Sequence, residues 1–281
     1  MGERTRVELG RREDLGADCA NCFGLCCVAL AFAKSADFPF DKAAGEPCEN
    51  LASDDACRIH PHLRDRGFKG CTVFDCFGAG QKVSRLTFSG RSWREDPQTR
   101  TAMFSTFPIV RRLHELLWYV DEAVMMVQKS RDATPWLVAF ERIQQLSDRD
   151  ADDLAGLDVD AEYDAVRDLL VEASGIARAG HEGRESKHGG PPLEPGSDLI
   201  GAQLAGMDLR GLSIRGSVAI GADFSDAKMQ LCDVLGVDMR DADLGGADLR
   251  AAIYLTQMQV NSARGDSRTA LPDGFDRPSH W

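Results

Sequence analysis

A five-residue period runs through the last third of the chain and restricts what this part can fold into. Twelve successive positions, five residues apart, are apolar, and a mostly small residue precedes each of them by two. An α-helix repeats about every 3.6 residues and a strand every two, so neither keeps such a pattern on one face. This self-similarity is typical of a solenoid, in which each repeat stacks on its neighbours. The twelve positions are Leu199, Leu204, Leu209, Ile214, Ala219, Phe224, Met229, Val234, Met239, Leu244, Leu249 and Tyr254.

These units resemble the pentapeptide repeat family and its A-(D/N)-L-x-x consensus, most closely at residues 222–224, 242–244 and 247–249. The resemblance implies a right-handed quadrilateral β-helix with four pentapeptides in each coil, and therefore about three coils. A coil of this length would stack Leu204, Phe224 and Leu244 inside and would bury Cys232 as a structural thiol. A short helix near 256–264 and Trp281 are then predicted to close the open end.

The second strong pattern is a cluster of cysteines near the N-terminus. Eight of the nine cysteines follow the spacing C-x2-C-x3-C-C-x20-C-x8-C-x13-C-x4-C. In a reducing compartment dense thiols more often bind metal than form disulfides, and soft sulfur favours zinc, iron–sulfur or copper(I). Eight thiolates could form two four-cysteine sites or one bridged cluster with spare ligands. The candidate ligands are Cys19, Cys22, Cys26, Cys27, Cys48, Cys57, Cys71 and Cys76.

Two details of this cluster bear on how a metal would be held. The side chains of the adjacent residues Cys26 and Cys27 diverge on a helix as on a strand, so we expect them to serve different metals unless one bridges. Residues 17–80 also resemble a family of small cysteine-rich proteins described as zinc- or iron-chelating, through the C-x2-C-x3-C-C start and four dispersed cysteines. The resemblance implies metal binding. His60, where that family often has an aromatic residue, adds a nitrogen as a candidate ligand.

The predicted fold class is multidomain α+β. Residues 95–180 are acidic, with a net charge of −8, and apolar residues at steps of three and four predict helices there. Helix starts are expected at Thr106–Pro108 and at Thr134–Pro135, a third apolar stripe begins at Tyr163, and residues 147–160 are expected to be mainly loop. The predicted regions are a cysteine-rich metal-binding region at 1–95, a helical region at 96–180, a flexible linker at 181–197, and the repeat with its C-terminal cap at 198–281.

Composition narrows the class of function. The net charge of −12 makes nucleic acid an unlikely ligand, and the chain has no apolar run long enough for a membrane span. The start lacks the apolar region of a secretory signal, so a cytoplasmic location is expected. The sequence favours a cytosolic zinc- or iron-binding protein whose repeat serves as a scaffold or docking surface for a protein partner. The alternatives are an iron–sulfur redox enzyme or sensor, and an acidic DNA mimic that acts on gyrase; whether the protein is an enzyme stays open.

Overall fold

The computed structural model describes residues 10–181 and 191–281. Most of the predicted linker, residues 182–190, lies outside the described residues. The chain divides into two compact units, Met1–Leu170 and Val171–Trp281. The cysteine-rich segment and the first three long helices up to Leu170 belong to the first unit, and the five-residue repeats belong to the second.

Helices dominate the first unit. In the part of the chain that the structure describes, no helix is both long and apolar enough to cross a membrane. Short 3-10 helices occupy Gly10–Leu15, Cys19–Asn21 and His60–His62, and a π-helix occupies Lys82–Thr87. The α-helices are α1 (Leu25–Val28), α2 (Lys69–Val73), α3 (Ala79–Gln81), α4 (Pro97–Val127), α5 (Thr134–Ser147), α6 (Ala151–Ala155), α7 (Val159–Arg178) and, in the second unit, α8 (Gln257–Ser262).

Helix α4 forms the centre of the first unit and begins earlier than predicted. The expected start at Thr106–Pro108 is wrong, because Asp96 caps the helix by accepting a hydrogen bond from the Thr99 N–H at 2.8 Å. Pro97 follows in the first turn, where a proline costs no backbone hydrogen bond, and Pro108 lies inside the helix. Helix α4 packs against α5 and α6. The apolar residues at steps of three and four that predicted this helix are all buried. They are Phe107, Val110, Leu113, Leu117, Val120, Val124 and Val127.

The predicted helix start at Thr134–Pro135 and the predicted helix that contains Tyr163 are confirmed. Helix α5 begins at Thr134, and the Trp136 side chain donates from its indole nitrogen to the Leu169 carbonyl of α7 at 2.8 Å. Tyr163 lies on α7 as expected. The stretch expected to be loop before α7 contains one turn of helix, α6, because Asp150 caps it by accepting from the Asp153 N–H at 2.9 Å.

In the second unit the chain returns beside itself every twenty residues. Parallel bridges join Gln203 to Asp223 and Asp223 to Asp243, and the same spacing joins Asp208 to Lys228 and Lys228 to Asp248. Within the described residues these bridges are isolated and do not extend into longer strands. All twelve apolar positions of the period are buried, as are Cys232 and the small residue Ala222.

The end of the repeat is closed by the residues that follow it. Thr256 and Gln259 form a capping box at the start of α8, which confirms the short helix predicted near 256–264. The Gln259 side-chain amide also donates to the Val234 carbonyl at 2.8 Å. Trp281 packs against the core of the repeat and donates from its indole nitrogen to the Ala263 carbonyl at 3.1 Å, as expected for a cap.

Candidate metal centre

The first cysteine segment is anchored by residues that follow the last cysteine of the cluster. The Phe23 N–H donates to the Ser84 hydroxyl at 3.0 Å, and its carbonyl accepts from the Trp93 indole nitrogen at 2.9 Å. The Gln81 side-chain amide donates to the Gly16 carbonyl at 2.7 Å. The chain around Cys19 to Cys27 is therefore fixed from both sides by α3, the π-helix and the loop before α4.

Helix α4 fixes the position of the last cysteine, Cys76. The Arg111 guanidinium donates from Nε to the Asp75 carbonyl at 2.9 Å. One turn further on, the His114 Nδ1–H donates to the Phe77 carbonyl at 2.7 Å. The carbonyls on both sides of Cys76 thus accept hydrogen bonds from side chains of α4.

One group of thiols gathers at Gly80. A Cβ at this glycine would lie 2.7 Å from the Cys22 Sγ and 3.9 Å from the Cys76 Sγ, so both sulfurs face the same point. The Cys22 Sγ accepts a hydrogen bond from the Leu25 N–H at 3.4 Å. Burial raises the pKa of Cys76 to about 12, although the Gly80 N–H donates to its sulfur. Burial, and then the charge of Cys22, raises the pKa of Cys19.

A second group of thiols gathers around Cys27. The Cys48 N–H donates to the Cys27 carbonyl at 2.9 Å. Cys57 lies in an antiparallel bridge with Leu51, and burial, with a smaller effect of the charge of Cys27, raises the pKa of its thiol. Burial, and then the charges of Cys27, Cys48 and Cys57, raises the pKa of Cys71 to about 12.

Lys42 brings a positive charge to this second group. Its side chain is buried, with only 5 % of the residue exposed. Burial lowers the pKa of Lys42, whereas negative charge at Cys48 and Cys27 opposes that change. The ammonium group therefore lies close enough to both thiols to stabilise their ionised forms. It donates to the carbonyls of Val28 at 3.3 Å, Ala43 at 3.1 Å and Glu46 at 2.8 Å.

Aromatic rings shield the segment that carries Lys42. The rings of Phe32 and Phe38 stack with their centroids 4.3 Å apart. Phe40 and Phe68 close the cluster in an edge-on contact at 5.6 Å. Phe32 pairs with Lys42 through an antiparallel bridge and Phe68 precedes α2, so the rings connect the Lys42 segment to the start of the helix that carries Cys71.

Cys26 and Cys27 join the two groups. Their sulfurs lie 4.0 Å apart on α1. The hydrogen bond between the two thiols raises the pKa of Cys26 and lowers the pKa of Cys27. Cys27 is therefore the thiol of this pair that ionises first.

The eight predicted ligands are neighbours, but their sulfurs do not form a finished coordination shell. Within residues 10–181 and 191–281, no three His, Cys, Asp or Glu side chains are arranged to hold a metal ion. All nine cysteines are free thiols. The donor set itself, eight thiols with N–H donors and an ammonium group among them, is of the kind that suits a soft metal ion. His60 is exposed, and its role as a ligand stays a prediction.

The buried His114 makes the stability of this unit sensitive to acid. Burial lowers its pKa to about 4, below the ordinary value of 6.5. The unfolded chain binds the proton first, so stability is complete above about pH 6.5 and falls between that pH and about 4. We expect the free energy of unfolding to fall by about 3 kcal/mol over this pH range. In His114→Gln, which keeps a donor for Phe77, urea unfolding at several pH values should show a shallower acid dependence; an unchanged slope would contradict the assignment.

Comparison with known proteins identifies the repeat and a full-length relative. A family model for pentapeptide repeats, eight copies in all, matches residues 197–234 and 220–253. "Uncharacterized protein YybG" of Bacillus subtilis (strain 168) is 48 % identical over 270 residues, which cover 95 % of this chain and 95 % of YybG. No solved structure gives a significant match. The resemblance of residues 17–80 to metal-chelating proteins stays a prediction. The chain therefore belongs to the same family as YybG and carries pentapeptide repeats in its C-terminal region.

Proposed function

We propose that this is a cytoplasmic metal-binding protein that holds zinc or iron through its cysteine cluster and carries a pentapeptide-repeat scaffold. The observation behind the proposal is that eight free thiols lie within residues 19–76, with Cys22 and Cys76 facing Gly80 and the sulfurs of the neighbouring Cys26 and Cys27 4.0 Å apart on α1. A cation would offset the charge of ionised thiolates that otherwise repel one another. The bound cation would cross-link the thiol-bearing segments, which contain little regular secondary structure, and would thereby stabilise their folded state.

The raised pKa values of most of these thiols support metal binding over free reactive thiols. Burial raises the pKa of Cys71 and of Cys76 to about 12, so neither is ionised at neutral pH in the absence of a cation. A reactive cysteine needs the opposite environment, one that lowers its pKa, and among the eight thiols this is the case for Cys27 alone. Metal ions deprotonate coordinating thiols even where the surroundings oppose it. The N–H groups that point at Cys22 and Cys76 then become stabilising hydrogen bonds to thiolate.

For the repeat we propose a right-handed quadrilateral β-helix. Parallel bridges between residues twenty apart, such as Asp198 with Val218 and Ser213 with Asp233, support four pentapeptides in each coil. At about 4.8 Å between neighbouring coils, three coils make a rod of roughly 14 Å. A rigid body of this kind offers flat outer faces on which a protein partner can dock.

The charge pattern of the repeat favours a scaffold over a DNA mimic. Arg210 pairs with Asp208 at 2.6 Å, and Arg240 pairs with Asp238 at the same distance. A third pair of this type joins Arg250 to the aspartate two residues before it. These arginines neutralise the aspartates that would otherwise form rows of negative charge. A mimic of DNA needs such rows of negative charge, because DNA presents negatively charged phosphates at regular spacing.

Elemental analysis of the full chain, purified without oxygen, tests the proposed function. We expect zinc or iron in stoichiometric amount, and a visible absorption band if the iron is in an iron–sulfur cluster. The double variant Cys26→Ser/Cys27→Ser should lose most of the metal. Cys232→Ser is the matched control, since this thiol is buried in the repeat unit, and it should keep the full content. A wild-type protein free of both metals, or equal metal content in the two variants, would refute the proposal.

A further inference from the structure

We infer that the N-terminal end of the repeat is an interface at which a second copy of this chain docks end to end. This interface goes beyond the proposed function and does not depend on a metal, since the core of the repeat contains none of the eight clustered thiols. The two ends of the repeat differ. Residues after the repeat satisfy backbone groups at its C-terminal end, whereas two residues at its N-terminal end keep unpaired backbone groups in the described part of the chain.

Two columns of bridged residues show what each coil needs from its neighbour. One column joins Gln203, Asp223, Asp243 and Arg264, and the other joins Asp208, Lys228, Asp248 and Ala270. Within a column, a residue binds the preceding coil through both of its backbone groups. The Asp223 N–H donates to the Ala202 carbonyl at 2.9 Å, and the Asp223 carbonyl accepts from the Leu204 N–H at 2.8 Å. The first residue of each column therefore needs a further chain on its N-terminal side.

The C-terminal ends of both columns are satisfied by the tail of the chain. Arg264 binds the third coil through its own N–H and carbonyl, so the carbonyl of Ala263 is left to another partner. The indole nitrogen of Trp281 donates to this carbonyl at 3.1 Å. In the second column the Arg277 guanidinium donates to the Thr269 carbonyl at 2.7 Å. This end is thus capped and offers little to a further coil.

At the N-terminal end, Gln203 and Asp208 lack such partners. In the part of the chain that the structure describes, their N–H groups donate to no acceptor and their carbonyls accept no hydrogen bond. The segment just before the repeat continues the coil at a different corner, where the Gly196 N–H donates to the Arg215 carbonyl at 2.8 Å. Gln203 is exposed and Asp208 is half-buried, so this edge lies at the surface.

Apolar side chains lie at the same end of the repeat. Met207 occupies the position that Ala227 takes one coil later, and Leu212 occupies the position of Cys232. Ala227 and Cys232 are completely buried, whereas Met207 and Leu212 pack against the core but are only half-buried. The end therefore combines unpaired backbone groups with apolar surface that a docked copy would cover.

A second copy has the matching chemistry. Two residues on antiparallel strands can exchange both of their backbone hydrogen bonds. When two N-terminal ends face each other about a two-fold axis, their edges run antiparallel, and the open groups of Gln203 and Asp208 meet open groups of the other copy. Charge does not oppose this contact, because Asp208 pairs with Arg210 of its own chain at 2.6 Å. Since the C-terminal end is capped, association stops at a dimer and does not continue into a fibre.

Sedimentation velocity of the full chain under reducing, oxygen-free conditions, over a range of concentrations, tests this interface. We expect a reversible dimer with twice the mass of one chain. Gln203→Pro removes an N–H that has no acceptor in the described residues, and an edge position tolerates proline. Because symmetry removes the same hydrogen bond from both copies, the dimer should weaken by about tenfold or more.

Gln203→Ala is the matched control, since it shortens the same side chain and keeps the N–H; it should dimerise like the wild type. A wild type that stays monomeric at every concentration, or two variants that dimerise equally well, would overturn the proposal. Metal content enters neither outcome, so this interface and the proposed function can fail independently.

Amide hydrogen exchange of the wild type does not depend on whether the variants fold. The amides of Gln203 and Asp208 should exchange more slowly as rising concentration forms the dimer. The Asp223 amide, which is bonded inside the repeat, should be protected at every concentration. Slow exchange of Gln203 in the monomer would show that another segment of the same chain covers this edge. Fast exchange of Gln203 in the dimer would place the contact elsewhere. Either result would contradict the proposed interface.

Discussion

Removal of the metal with a chelator, under oxygen-free and reducing conditions, should unfold the cysteine-rich part of the first unit. The described segments that carry the eight thiols have only short helices and isolated bridges, so the ion that we propose would supply most of their cross-links. Structural zinc contributes on the order of 10 kcal/mol to folding at neutral pH. Limited proteolysis should therefore cleave the chain within residues 17–80 soon after the chelator is added.

The second unit provides the internal control for this experiment. Its core contains none of the eight thiols, and its one cysteine, Cys232, is fully buried. Residues 198–281 should resist the protease to the same extent with and without chelator, and added zinc should restore protection of the first unit. Equal protection of residues 17–80 in the two conditions would mean that no metal holds this part of the chain together.

The second large effect is expected for Phe224→Ala in the repeat. This ring is completely buried at the centre of the repeat core, where the chain above and below it comes within bridging distance. The substitution removes a large apolar side chain and leaves a cavity that the coils can close only in part. We expect the free energy of unfolding of the second unit to fall by about 3–5 kcal/mol. Chemical denaturation, with proteolysis of the repeat as the readout, measures this change in the free energy of unfolding.

Ile200→Ala is the matched control, because it also truncates an apolar side chain of the repeat. Ile200 is 61 % exposed, so the change should stay within about 0.5 kcal/mol. If the two variants lose similar amounts of stability, the apolar positions of the five-residue period do not form the core.

The repeat could be predicted from sequence because its signal is local and redundant. Each of the twelve apolar positions supports the same register, and the burial of Leu204, Phe224 and Leu244 follows directly. The start of α4 was missed for the opposite reason. Thr106–Pro108 and Asp96–Pro97 both fit a helix start, and only the cap that Asp96 provides distinguishes them.

The candidate metal centre shows where sequence reasoning stops. The spacing identifies eight thiols as candidate ligands, but which thiols lie together depends on contacts over long distances in the chain. The glycines after the last cysteine indicate a tight turn beside the cluster, but the sequence does not show that Gly80 faces sulfurs from both ends of it. Lys42 is equally hard to foresee, since a lone lysine in a loop is usually solvated. Its burial is accompanied by hydrogen bonds to the carbonyls of Val28 on α1 and of Ala43 and Glu46 in its own loop.

The twenty-residue spacing of the bridges limits how genes for such repeats can vary in length. Loss of a single codon between Leu204 and Leu244 would rotate every later side chain by one position, and inward and outward residues would exchange places. Loss or duplication of sixty nucleotides removes or adds twenty residues, which is the spacing of the bridges. Each remaining residue would then still lie beside a residue from the same position of the five-residue period. Relatives should therefore differ in this part of the chain by whole coils, with shorter insertions confined to the turns.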